Sequence, residues 1–369
     1  MRIRIFRFVA VIQSVLLLVH LAVYGTLAFF WGPLNFTRTV ELRVALALLS
    51  ISFVGTSFLA RRSFHFVARM FYTLAALWLG FVTYFFLAAC ACWIVYLAPL
   101  LFGVRMQRRP LAGLFFGVAL LLGIYAIGNA ARTRVKKITV KLPNLPASWR
   151  GRTAALVSDL HLGHIRNRGF LRRVVGILNR LQPDVLFIPG DLYDGVAIDA
   201  PRLAEPWAKC SAPLGSYFVT GNHEQFSSPE KYLDAVKQSG IRALRNEKIV
   251  LDGLQIVGVD YRDSTSGEKF RAALQHAGLD RDVASILLVH TPDRLRIAAE
   301  AGFSLQLSGH THRGQFFPFT LIVSRIYGEF AYGLHRFGGL AVYTSSGAGT
   351  WGPPMRLGTF PEIVLIHFE

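Results

Sequence analysis

The chain has 369 residues, 53% of them hydrophobic, a mean hydropathy of +0.40 and a formal net charge of +18. That composition excludes a single ordinary soluble domain, and the length leaves room for two or more units. Three cysteines exclude a disulfide framework; Cys90 and Cys92 within an apolar run and the solitary Cys210 read as small packing residues.

The apolar residues concentrate before about residue 130. Of the 40 basic and 22 acidic residues, only eleven arginines and Glu41 lie in residues 1–130. Four apolar runs fill this part, at residues 8–30, 40–60, 67–101 and 111–129. Each reaches the ~20 residues that cross hydrocarbon as a helix, and the third has a surplus that tilts or projects into the headgroups. The expectation is a four-helix transmembrane anchor over residues 1–130. The first run follows Arg2, Arg4 and Arg7 like a signal peptide, but it is longer than a usual h-region and three more spans follow, so it reads as a retained anchor.

More than half of the excess positive charge lies in residues 1–130, at or near the ends of these runs, which marks membrane topology rather than a nucleic-acid footprint. With the N-terminus inside, ten basic residues (Arg2, Arg4, Arg7, Arg61, Arg62, Arg69, Arg132, Arg134, Lys136, Lys137) flank the cytoplasmic ends, against Arg38, Arg43, Arg105, Arg108 and Arg109 outside. The count predicts a multi-pass inner-membrane protein with both termini, and the downstream domain, in the cytoplasm. No lysine, and no acid beyond Glu41 at the edge of the second run, lies within the spans. Ionisable groups inside a bilayer mark transport pathways, so their scarcity argues against a channel or a proton-coupled transporter. Membrane lipids are expected partners, and nucleic acid is not.

Residues 131–150 shift to Lys, Pro and Thr and read as a linker, with the remaining domain at 151–369. There an α/β rhythm begins. Short apolar runs of strand type stand at 154–157, 185–188, 216–219, 255–259, 286–289, 303–307 and 340–343; helical segments stand between them at 169–181, 230–238 and 270–277. Such a chain buries a sheet between helices.

Polar residues recur at the ends of these strands. The first is followed by Ser158-Asp159-Leu160-His161, the second by Gly190-Asp191-Leu192-Tyr193-Asp194 and the third by Gly221-Asn222-His223-Glu224. His290-Thr291-Pro292 follows 286–289, and Ser308-Gly309-His310-Thr311-His312-Arg313-Gly314-Gln315 follows 303–307. In an extended backbone His310 and His312 project to one side and face one point. Taken singly, each motif is equally good turn chemistry. Five in order, each offering Asp, Asn or His, suit two-metal hydrolysis of a phosphate ester: a bridging carboxylate, imidazole and amide ligands, and an open side for substrate. Carboxylate with histidine suits Mn²⁺, Fe or Zn²⁺ more than Ca²⁺; two divalent ions are expected, Mn²⁺ first, with Fe, Zn²⁺ or Mg²⁺ as alternatives.

The run D-x-H, G-D-x-x-D, G-N-H-E, H and G-H-x-H, from Asp159 to His312, resembles the calcineurin-like metallophosphoesterase superfamily. The resemblance covers residues 150–369 and leaves the anchor outside. It implies a four-layer αββα sandwich with two divalent ions at the strand ends. One ion would be held by Asp159, His161, Asp191 and His312, the other by Asp191, Asn222, His290 and His310, with Asp191 bridging. His223 would bind phosphate and protonate the leaving oxygen, and Asn222 would also touch substrate. Asp194 and Glu224 would orient ligands or merely complete turns.

The segment L-S-G-H-T-H-x-G-Q and the later Ser345-Ser346-Gly347 and Gly352-Pro353-Pro354-Met355-Arg356 look like a bacterial membrane-associated branch, which includes enzymes hydrolysing UDP-2,3-diacylglucosamine in lipid A assembly. Arg313 stands where that branch commonly has glycine; it either grips a diphosphate or faces solvent. The apolar run Phe316, Phe317, Pro318, Phe319, Leu321, Ile322, Val323 either meets acyl chains or the membrane interface, or forms a buried hairpin covering the sheet. Arg166, Arg168, Arg172 and Arg173 either meet anionic headgroups or form a solvated helix face. The expected activity is phosphoester or pyrophosphate hydrolysis on a lipid-linked phosphate, with a broad phosphodiesterase or phosphatase as the alternative. A receptor or scaffold would be missing ligands, and none is missing.

Overall fold

The computed structural model describes the chain apart from residues 1, 33–34 and 227–228. It divides into two compact units: Met1–Gly128 with Gly352–Met355, and Asn129–Trp351 with Arg356–Glu369.

The first unit contains α1 (Arg2–Trp31), α2 (Phe36–Ala60), α3 (Phe66–Leu100) and α4 (Arg108–Ala130). All four are long and apolar enough to cross a membrane. At their N-terminal ends α1, α2 and α4 outrun the apolar runs, taking in Arg2, Arg4, Arg7, Arg38, Arg108 and Arg109, because arginine is itself a good helix former. Most serine and threonine hydroxyls inside them bond a carbonyl of their own helix, as Ser57 and Thr83 do, while Gln13, Trp78 and Trp93 reach a neighbouring helix. Gln13 Nε2 donates to the Ser50 carbonyl at 3.0 Å, Trp78 Nε1 to His20 Nε2 at 2.8 Å and Trp93 Nε1 to Thr26 Oγ1 at 2.9 Å. Such bonds hold helices together where no water competes.

The second unit runs β1 (Arg134–Val140), β2 (Thr153–Leu156), β3 (Leu162–Gly163), α5 (Arg168–Leu181), β4 (Val185–Pro189), β5 (Tyr193–Asp194), α6 (Ala200–Ala204), β6 (Ser216–Val219), α7 (Pro229–Gln238), β7 (Arg242–Ala243), β8 (Glu247–Leu251) and β9 (Leu254–Gly258). It continues with α8 (Tyr261–Ser264), α9 (Gly267–Ala277), β10 (Ser285–Leu288), α10 (Leu295–Ala301), β11 (Leu305–Ser308), α11 (Phe319–Tyr327), β12 (Gly333–Phe337), β13 (Leu340–Thr344) and β14 (Glu362–Phe368). One sheet has the order β1-β14-β2-β4-β6-β7 and the other β12-β13-β11-β10-β9-β8.

The strands alternate. In β10, Ile286 and Leu288 enter the core shared by both sheets, with Leu156, Phe187, Ile256, Leu307 and Tyr343. Leu287 points the other way, onto Phe270 and Leu274 of α9 and Leu295 of α10. Strands apolar on both faces belong to sheets covered on both faces. On the outer side of the first sheet, α5 buries Phe170, Leu171, Val174, Val175 and Leu178 and exposes Arg172, Arg173 and Arg180. The result is the four-layer αββα sandwich.

Residues 131–150, expected as a linker, carry β1, which pairs in parallel with β14 along its whole length. Lys136 and Lys137 break the apolar alternation of this edge strand, and its partner comes from the far end of the chain, so no local pattern announces it. The apolar run after Gln315 is not a buried hairpin. Phe316 is buried, and the residues after Pro318 form α11, none of whose side chains is buried.

Candidate metal centre

The parallel strands β2, β4, β6, β10 and β11 end on one edge, and their loops extend the sheet pairing beyond the strands. Val157 N donates to Phe187 O, Asp159 N to Gly190 O at 3.2 Å and His161 N to Asp191 O at 3.0 Å, so the first two motifs run side by side. Gly309 N donates to His290 O at 2.9 Å, tying the last two together. Binding crevices of open parallel sheets lie at such carboxyl ends.

Two glycines permit this crowding. A Cβ at Gly221 would meet the Asp191 carboxylate, and one at Gly309 would meet the side chains of Ser158 and Asp159. Five site residues, Asp159, His161, Asp191, His310 and His312, have φ between 47° and 70°. Non-glycine residues rarely occupy this left-handed region, and clusters of them accumulate where function holds the backbone. The HxH segment is therefore not extended as its spacing suggested. Residues 312–314 form a 3₁₀ turn, and the two histidines diverge to different clusters.

In the first cluster His161 Nε2 lies 2.9 Å from His312 Nε2, and His312 Nε2 lies 3.7 Å from Asp159 Oδ1. In the second His290 Nε2 lies 3.2 Å from Asp191 Oδ2 and 3.0 Å from Asn222 Oδ1, while His310 Nδ1 lies 2.9 Å from Asn222 Oδ1. The Asp191 carboxylate stands between them, its Oδ2 also 3.8 Å from His161 Nε2. Asp159 with His161 and His312, and Asp191 with His290 and His310, each place their ligand atoms within 4.8 Å of one another. His223 Nε2 is 3.9 Å from Asp191 Oδ2, and its Nδ1 pairs with Asp194 Oδ1 at 3.0 Å.

The donor set suits divalent cations. Burial and then His223 pull His161 down to about 3, and burial and then His290 pull His310 to about 4, so both imidazoles stay neutral with a lone pair to give. His290 Nδ1 faces the Pro189 carbonyl at 2.8 Å and donates there, which turns Nε2 to the cluster; burial opposes its charge, but Asp191 outweighs burial and raises the imidazole to about 9, so a cation bound at Nε2 would displace a proton. Among the described residues His161 Nδ1 is buried without a hydrogen-bond partner. Burial opposes ionisation of Asp191, yet His290 and His223 hold its carboxyl well below the usual range. Burial also opposes the charge on His223, but Asp191 and Asp194 outweigh it and raise the imidazole to about 9.

Glu224 does more than complete a turn. Fully buried, it accepts from the backbone N–H of Gly221 at 2.7 Å and of Asp191 and Tyr193 at 3.0 Å each. It pins the GNH loop to the GD loop. The Arg313 guanidinium lies over the Tyr332 ring, 4.6 Å from its centroid. The basic cluster splits: Arg166 is buried, bonding Thr350 Oγ1 and the Ala130 carbonyl, and Arg168 pairs with Glu205, whereas Arg172 and Arg173 form a solvated helix face.

Two contributors escaped the motif reading. Arg356, wholly buried, donates to the carbonyls of His312, Ser346 and Gly349 and lies 3.2 Å from His312 Nδ1. Its only signal was its place in the tail motif. Trp351 is 56% exposed and its ring lies 6.1 Å from that of His223, held by a reciprocal pair of bonds with Gln315. An isolated tryptophan gives no sequence signal of that placement.

Residues 153–314 match the family described as calcineurin-like phosphoesterase. The chain is 34% identical over 68% of its length to a transmembrane protein with metallophosphoesterase domain from Danio rerio, of which it spans 60%. It is 33% identical, again over 68% of its length, to an uncharacterized metallophosphoesterase of Aquifex aeolicus, of which it spans 98%. A solved dimetal phosphatase from Danio rerio shares 13% identity over 54% of this chain and 88% of its own, with a TM-score of 0.35, too loose a likeness to add to the sequence matches. The chain carries four membrane-length helices and belongs to the calcineurin-like metallophosphoesterase family of hydrolases.

Proposed function

We propose that this chain is a membrane-tethered, divalent-metal-dependent hydrolase of a phosphoester or pyrophosphate bond. The observation that carries the reading is the position of the Asp191 carboxylate between the two donor clusters. Asp159, His161, Asp191 and His312 would hold one cation, and Asp191, Asn222, His290 and His310 the other. Bound divalent ions would supply Lewis-acid polarisation of the phosphoryl oxygens and a water of lowered pKa. The set of oxygen and imidazole donors suits Mn²⁺, Fe or Zn²⁺ alike, and Mn²⁺ is the first to test.

The remaining chemistry belongs to side chains. Asp194 accepts the His223 Nδ1 proton, which turns Nε2 toward the Asp191 side of the site with a proton to give. His223 thus donates to the leaving oxygen, while Asn222, half-buried, also touches the phosphoryl group. Arg313 supplies a cation for a second phosphate.

The substrate we assign is a lipid-linked phosphate or diphosphate, with UDP-2,3-diacylglucosamine the first to test. Only Ala131, Arg132 and Thr133 separate α4 from β1, which keeps the catalytic unit on a short tether to a membrane-length helix. The bias of basic residues supports the cytoplasmic face of the inner membrane for that unit. The test is hydrolysis of UDP-2,3-diacylglucosamine by detergent-solubilised protein with Mn²⁺, alongside bis-p-nitrophenyl phosphate. UMP release with little generic activity is expected. Generic diesterase activity without UMP release would instead assign a broad phosphodiesterase, and inactivity on both would sink the reading.

A further inference from the structure

Helix α11 follows the GHTHRGQ motif within a few residues and has no buried residue. Its apolar side chains face outward: Leu321 is 62%, Ile322 53% and Ile326 67% exposed. Phe319, Ile322 and Ile326, spaced i, i+3, i+7, share one helical face. The helix is nonetheless held at both ends. Phe319 packs edge-on against buried Phe316, with ring centroids 5.1 Å apart, and a Cβ at Gly314 would strike the Phe319–Thr320 backbone. At the other end the Tyr327 ring lies 6.3 Å from that of His310, edge to face. A fixed element that touches the metal centre thus presents an apolar face to its surroundings.

The charged residues nearest it in sequence are mostly positive, while Asp293 faces Tyr327 at its end. Arg325 stands exposed on the helix, and Arg313 and Arg336 flank it in sequence, against Glu329. An exposed apolar helical face that carries an exposed arginine, Arg325, is the pattern of an element lying in a membrane interface, with the cation at anionic headgroups. The same chain carries membrane-length helices and reaches this unit through three residues.

We propose that α11 lies in the interfacial layer of an anionic phospholipid bilayer, with Ile322 and Ile326 among the acyl chains and Arg325 at the headgroup phosphates. The metal centre then opens at the bilayer surface. The lipid contact stands on α11 alone; its consequence for turnover rests on the hydrolase reading above.

The test uses the full chain with its three native cysteines replaced by alanine, carrying Ile322→Cys or, as a control on β8, Val250→Cys, which is 58% exposed. Each is labelled with bimane and reconstituted into phosphatidylglycerol–phosphatidylethanolamine vesicles containing doxyl lipids. Quenching several-fold stronger at 322 than at 250 is expected, on the order of that for a residue at the acyl boundary. Equal quenching at the two positions overturns the proposal, as does shielding of 322 from aqueous iodide without lipid quenching, which would mean that a protein surface covers it. In a second arm, Leu321→Ser, Ile322→Ser and Ile326→Ser are combined. The triple variant should hydrolyse bis-p-nitrophenyl phosphate within about two-fold of wild type and lose on the order of ten-fold on bilayer-embedded hexadecyl p-nitrophenyl phosphate. Equal rates of the variant and wild type on the embedded ester would overturn the link to turnover. Inactivity of the wild type on both esters, with quenching intact, would remove the hydrolase reading and leave the membrane contact standing.

Discussion

Replacing His223 by glutamine tests the proposed chemistry most directly. The imidazole is 7% exposed, its Nδ1 bonded to Asp194 Oδ1 at 3.0 Å, and the Asp191 and Asp194 carboxylates keep it protonated against the pull of burial. Glutamine fills much of the same space and can still donate to Asp194, but it has no proton to transfer. Loss of a general acid lowers the rate by roughly 10²–10⁴-fold, equivalent to about 3–5 kcal/mol in the barrier. The loss should depend on the leaving group, because a weakly basic p-nitrophenolate departs with little help whereas an alkoxide needs the proton. His223→Gln should therefore lose much more activity on an alkyl phosphodiester than on bis-p-nitrophenyl phosphate, with bound metal unchanged by elemental analysis after dialysis. Equal losses on both esters would refute the acid role, and loss of metal would make His223 a ligand instead.

Asp191→Asn should abolish turnover and lower bound metal, since one carboxylate serves both clusters; wild-type metal content with wild-type rate would take it out of the centre. Glu224→Ala leaves three buried backbone N–H groups without an acceptor, at about 1–3 kcal/mol each. Thermal unfolding of the solubilised protein should fall by several degrees, and an unchanged midpoint would show that water replaces the carboxylate. A reporter fused after Glu369 should behave as cytoplasmic; periplasmic activity of the fusion would overturn the topology drawn from the arginines.

The five motifs were legible because each sits where a short apolar run stops. In β4 the run Val185–Pro189 ends at Gly190-Asp191, and in β11 the run ends at Gly309-His310, so strand ends and ligand-type residues announce one another. The membrane-length helices were legible for a simpler reason: composition alone distinguishes a stretch that tolerates hydrocarbon. By contrast β1 and β14 pair from opposite ends of the domain, and the lysines of β1 hide its alternation, since an edge strand needs only one covered side.

What the sequence by itself determined is the inventory: apolar helices, alternating strands, and Asp, Asn and His in the order Asp159 to His312. Tertiary structure alone decided how that inventory is spent. Local spacing suggested that His310 and His312 share a target, whereas the motif resemblance had assigned them to different ions; left-handed backbone at both is what turns them toward different clusters. Glu224 became the clamp of two loops, Arg356 the buried support of His312, and Trp351 the neighbour of His223. Each of these depends on contacts between residues tens to hundreds of positions apart. Periodicity reports which face of one element is buried; which element lies opposite is settled only when the two sheets close on their common core.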